Sequence, residues 1–118
     1  MRQIFVFGSN EAGRHGRGSA LEAVRNHGAI YGVGEGIQGN AYGIPTKDTQ
    51  LRILPLNKIN EAVKRFILFA IDNQNCEFNV VAIGCGLAGY KPNQIAPMFH
   101  PALHLRNVRL PREFWECL

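Results

Sequence analysis

The sequence predicts an α/β domain, a sheet covered by helices on both faces. Three observations carry that expectation. Apolar runs with no helical stripe alternate along the chain with helix-patterned segments. One segment has a clear 3.6-residue stripe: Ile59, Ala62, Val63, Phe66, Ile67, Ala70 and Ile71. Two apolar runs lead straight into clustered glycines, and ligands of α/β sheets sit outside the carboxyl ends of strands.

Arg2 to Phe7 reads as a buried strand, apolar without a stripe and bounded by Gly8. Gly18 to Gly28 reads as a helix with Ala20, Leu21, Ala23 and Val24 inward, Ser19 as cap with Glu22 three residues on, and Gly28 as its stop. Residues 30 to 41 hold Gly32, Gly34, Gly36 and Gly39 with no periodicity, which predicts a long, pliable loop. Ala41 to Ile44 is a short strand that Pro45 should end. The long stripe follows Pro55, with Asn57 placed to cap its helix. Phe78 to Ile83 suits an inner strand. A helix should start near Pro92, a residue favoured in the first turn. Val108 to Leu110 looks like a last strand, and residues 111 to 117 a terminal turn or short helix whose Phe114 and Trp115 seal the core.

A chain of 118 residues supports one core, so residues 1–118 read as a single domain. With 46% hydrophobic and 19% charged residues, disorder is excluded. The net charge of +4 is compatible with anionic ligands but too mild and scattered to mark a nucleic-acid binder. Cys76, Cys85 and Cys117 are odd in number and lack metal-ligand spacing. With no signal-peptide pattern and no apolar stretch of about 18 residues, the expectation is a cytoplasmic protein without a membrane partner.

The chemistry concentrates in the two glycine-rich strand ends. Gly8-Ser9-Asn10 leads to Gly13, Gly16 and Gly18, and Ile83-Gly84-Cys85-Gly86-Leu87-Ala88-Gly89-Tyr90 follows the inner strand. Glycines at a strand end let a ligand approach the backbone and let successive N–H groups share one concavity, which suits a phosphate. The same glycines would also serve simple tight turns. Gly84 to Gly89 spells G-x-G-x-x-G, but late in the chain and with no acid-ended strand after it, so a dinucleotide fold is not indicated. A P-loop is excluded by the absence of its lysine followed by Ser or Thr. Two anion-binding loops remain, the first opening into a helix N-terminus, with Arg14 and Arg17 available for charge. Cys85 could act as a nucleophile with His15 as base, or simply fill a tight turn. His100 and His104 lack a third metal ligand, so no metal is expected.

On these residues, from about position 4 to 110, the chain resembles the macrodomains, the ADP-ribose-binding family. The resemblance implies a three-layer α/β/α macrodomain-like sandwich with a mixed, mostly parallel central sheet. It implies that Asn10 contacts the distal ribose, and that Gly8, Ser9, Gly16, Gly18 and Ser19 wrap the diphosphate. Gly84, Cys85, Gly86, Leu87, Ala88, Gly89 and Tyr90 would close over the phosphates and that ribose, with Tyr90 free to stack on a ring or to pack. Thr46-Lys47 matches the segment that bears the catalytic lysine in macrodomains that remove terminal ADP-ribose from proteins or DNA. Ala88 stands where that class has its aspartate, leaving Asp48 or Glu35 to supply acid–base help. The implied function is binding of ADP-ribose or a related nucleotide, with no cofactor. Three versions stand open: an enzyme acting on an ADP-ribosylated protein or nucleic acid, a module that only binds a nucleotide, and a protein-interaction module with no small ligand.

Overall fold

The computed structural model describes residues 1–118. It is an α/β/α sandwich around a five-stranded, mostly parallel sheet. The strands are β1 (Arg2–Asn10), β2 (Gly36–Gln38), β3 (Ala41–Lys47), β4 (Cys76–Val80) and β5 (Val108–Arg109), in the order β2-β3-β1-β4-β5. Only β2 runs antiparallel to its neighbour. The helices are α1 (Gly18–His27), α2 (Leu56–Asp72), α3 (Pro92–Ile95) and α4 (Arg112–Trp115), with a 3₁₀ helix over Ala96–Ala102. No helix is long and apolar enough to cross a membrane.

β1 is the central strand, and its alternating residues feed two cores. Ile4 and Val6 join the larger one beneath α2, α3, the 3₁₀ helix and α4. Phe7 joins a smaller one with Ala20 and Ala23 of α1, flanked by Phe5 and Val24. The small alanines let α1 lie close on the sheet. On the opposite face, Phe66 of α2 packs edge-on to the rings of Tyr42, Phe78 and Phe99.

Several expectations are corrected. β3 runs through Pro45 to Lys47. Its partner β2 reaches only Gly43, so one side of β3 carries no ladder at Pro45, and a register shift in β1 lies directly opposite at Ser9/Asn10. An edge and a bulge are where a sheet tolerates proline. Residues 30 to 41 are not a pliable loop: they contain β2 and are tied down by the side chain of Gln38. Its Oε1 accepts from the Ile30 amide at 2.8 Å, and its Nε2 donates to the Val33 carbonyl at 2.9 Å. β4 stops at Val80 because the chain turns at once, the Ile83 amide bonding the Val81 carbonyl at 2.7 Å.

Neither expected cap is used. Arg17 precedes α1 and Pro55 precedes α2, without side-chain caps, while Ser19 and Asn57 fall inside the first turns. Phe114 is fully buried, but Trp115 is 51% exposed and does not seal the core. Ile71 lies at the fraying edge of the α2 stripe, 43% exposed. Ile71→Gln is therefore expected to change stability by less than about 0.5 kcal/mol in a urea titration, since it removes little buried area and keeps a good helix former.

Candidate functional site

The carboxyl ends of β1, β3 and β4 open into one cavity of about 700 Å³. It lies where the chain order reverses beside β1: β1 connects through α1 to one side, and β3 returns through α2 to the other. Gly8, Ser9 and Asn10 of β1, Thr46 and Lys47 of β3, residues 16 to 20 at the start of α1, and Gly84, Gly86, Leu87 and Ala88 line it.

Local hydrogen bonding explains the shape. The Asn10 side chain staples its own loop: Nδ2 donates to the Arg14 carbonyl and Oδ1 accepts from the Arg14 amide, both at 2.9 Å. Ser9 Oγ donates to the Gly34 carbonyl, and Thr46 Oγ1 donates to the Ser9 carbonyl at 3.3 Å. After β4 the chain makes consecutive tight turns. Cys85 N bonds Ala82 O, Gly89 N bonds Gly86 O, and Tyr90 N closes the loop onto Gly84 O at 2.8 Å.

Those turns leave the amides of Gly84, Gly86, Leu87 and Ala88 with no acceptor in the protein, and all four residues line the cavity. Gly16 and Arg17 present two more unpaired amides, next to the first turn of α1, whose N–H groups lack intrahelical partners by construction. Arg14, Arg17 and Lys47 are the cations of the lining, and none of them is in an ion pair. No Asp, Glu or His lines the cavity. Part of the concavity is therefore lined by donors and positive charge, with no carboxylate to oppose an anion.

Five of the expected site residues lie elsewhere. Glu35 pairs with Arg65 of α2 at 2.5 and 3.0 Å. That pair sits beside Tyr42, whose hydroxyl is pushed up to about 12, by burial first and by the Glu35 charge second. Asp48 accepts from the amides of Gln50 and Arg52 at 2.8 and 2.9 Å, and from Arg52 Nε at 3.0 Å. These bonds, the Arg52 amide foremost, hold its carboxyl below the ordinary value of 3.8, which suits a turn and not a proton shuttle.

Cys85 packs against the larger core, where burial, then Glu113 and Cys117, push its thiol up and away from the thiolate a nucleophile needs. His15 cannot serve it: the ring is buried, its Nε2 lies 2.9 Å from the Val33 carbonyl, and it packs edge-on to Phe7 and Tyr31. Tyr90 donates from its hydroxyl to the Leu54 carbonyl at 2.6 Å, anchoring the loop instead of facing a ligand, and Gly89 lies outside the lining.

Sequence reasoning missed Tyr31 and Leu51, both on the cavity wall. Tyr31 sits in a stretch that lacks periodicity, so nothing local marked it. Leu51 is marked only by a backbone conformation that a sequence does not display.

No family model matches the chain, and no curated protein does. Two solved structures share the fold. One is a protein of unknown function from Bacteroides thetaiotaomicron, with a TM-score of 0.65 at 16% identity over 92% of this chain and 84% of that one. The other, a second Bacteroides thetaiotaomicron protein, has a TM-score of 0.62 at 15% identity over 92% and 86% of the two chains.

Proposed function

We propose that this chain is a binding module for ADP-ribose or a related nucleoside diphosphate, held in the cavity at the carboxyl ends of β1, β3 and β4. The observation that carries this is the set of unpaired amides of Gly84, Gly86, Leu87, Ala88, Gly16 and Arg17, on residues that line one cavity together with three unpaired cations and no carboxylate. A volume of about 700 Å³ is in the range of nucleotide-sized ligands. The likeness of both glycine loops to those of macrodomains supports the same ligand class, and the three free cysteines fit a reducing, cytoplasmic setting.

Binding is favoured over hydrolysis by what surrounds Lys47. Attack on the anomeric carbon, or activation of water there, needs a group to move a proton. Asp48 is committed to its turn, Glu35 to Arg65, and Ala88 has no side chain for the task. Lys47 in this reading is a phosphate contact.

Calorimetric titration with ADP-ribose, ADP and AMP tests the reading. Lys47→Ala should weaken ADP-ribose about tenfold, the scale of one lost charge-assisted hydrogen bond. No heat and no thermal shift with any of the three ligands would sink the proposal. Release of ADP-ribose from a modified protein or nucleic acid, abolished in Lys47→Ala, would replace it with the hydrolase reading.

A further inference from the structure

The turn that follows β3 carries a residue of the wrong type for its backbone. Asp48 and Arg52 close a three-residue hairpin: the Asp48 amide bonds the Arg52 carbonyl at 2.8 Å, and the Leu51 amide bonds the Asp48 carbonyl at 3.0 Å. The third loop residue of such a hairpin adopts the left-handed conformation, a position suited to glycine. Here it is Leu51, with φ at +63°, the one non-glycine residue of the chain with positive φ. A leucine at that angle is strained, and strain of this kind collects at ligand sites.

Leu51 also lines the cavity while 41% exposed. Tyr31, 65% exposed, lines the same cavity with its ring edge-on to the buried His15. The wall thus has two chemistries. The amides and cations suit phosphate, whereas Tyr31 and Leu51 are large apolar groups left wet, which is unfavourable unless something apolar covers them.

We infer that Leu51 is a specificity residue that contacts the aromatic base of the ligand, and that Asp48 is the positioning residue that holds Leu51 there. This rests on the nucleotide reading of the cavity. The Asp48 carboxylate binds the amides of Gln50 and Arg52 on either side of Leu51 and also the Arg52 guanidinium, so the strained residue is clamped from both flanks. A ligand with phosphates but no base fills the donor-rich part and leaves Leu51 exposed.

The experiment compares ADP and ADP-ribose with pyrophosphate and ribose 5-phosphate by calorimetry, on wild type, Leu51→Gly, Leu51→Ala, Asp48→Ala and Asp48→Asn. Leu51→Gly should melt at or above the wild-type temperature, because glycine accepts this φ, yet bind the two base-bearing ligands about tenfold or more weakly. Leu51→Ala should lose the same affinity and melt below Leu51→Gly. Both should keep wild-type affinity for the base-free ligands. Asp48→Ala should lose affinity for the base-bearing ligands alone, which a merely structural role would not produce, and Asp48→Asn, whose Oδ1 still accepts from both amides, should recover part of it. If wild type binds nucleotides and Leu51→Gly binds them equally well, or loses base-free ligands to the same degree, the inference fails while the cavity reading stands. If wild type binds none of the four, both fall together.

Discussion

Arg17→Asp is expected to change stability and binding in opposite directions. Arg17 occupies the N-cap of α1, makes no capping hydrogen bond, and no acidic residue follows in the first turn. A cation at the positive end of a helix is locally unfavourable, and an aspartate there accepts a bond from the first-turn amides. The substitution should therefore stabilise the fold by about 0.5–1 kcal/mol. Arg17 is exposed and in no ion pair, so nothing else in the structure is lost.

Binding should respond far more strongly. Arg17 lines the cavity, and reversal puts a carboxylate among the donors that the proposed function assigns to phosphate. At a separation of roughly 6 Å and an effective dielectric near 20, each unit of charge changes the interaction with a phosphate by about 3 kcal/mol. Even after screening, a hundredfold loss of affinity for ADP-ribose is the modest expectation. Urea denaturation and calorimetry on one preparation read both effects. Unchanged affinity would mean that the anion does not lie at the start of α1.

Gly13→Ala should be among the most destabilising single-methyl additions in the chain. Gly13 has φ of +69°, and a Cβ there would overlap the Gly32 carbonyl carbon and lie 2.5 Å from the Val33 amide nitrogen. Both are backbone atoms with no rotamer to move aside. The left-handed penalty adds to that overlap, and a loss of more than about 4 kcal/mol is expected, a large share of the stability of a small domain. The damage should spread to the site, because the contact it breaks is one of those that seat residues 30 to 35 on the first loop. The Gly32 amide bonds the Gly13 carbonyl at 2.8 Å, and Tyr31 reaches the cavity from that segment. Gly16→Ala is the control: no atom lies within 4 Å of its Cβ position and its φ is not left-handed, so its melting should match wild type.

Much of this was legible because the signals were local. The α2 stripe declares its buried face without reference to anything else, and Ile59, Ala62, Val63, Phe66, Ile67 and Ala70 are all buried. Glycines directly after apolar runs announced the strand ends that border the cavity. What misled was also local. Pro45 is a strand-breaker until one knows that its β3 edge is unpaired there and that β1 shifts register opposite. Ser19 and Asn57 are good caps in isolation, but each helix starts two residues earlier, behind Arg17 and Pro55. Glu35 and Asp48 are plausible acids by proximity in sequence, yet each carboxylate has a nearer cation or amide.

The amino-acid sequence by itself determined the layers, the order of most elements and the two glycine loops. These follow from periodicity and from the conformations that glycine and proline permit, properties a residue carries anywhere. Only the tertiary structure decided which groups face the cavity. Asn10 turned inward to staple Arg14, Tyr90 reached away to Leu54, and Leu51 was held in a left-handed turn on the cavity wall. Each of those outcomes depends on a partner distant in the chain or on a turn closed by hydrogen bonds, and neither is written into the identity of a single residue.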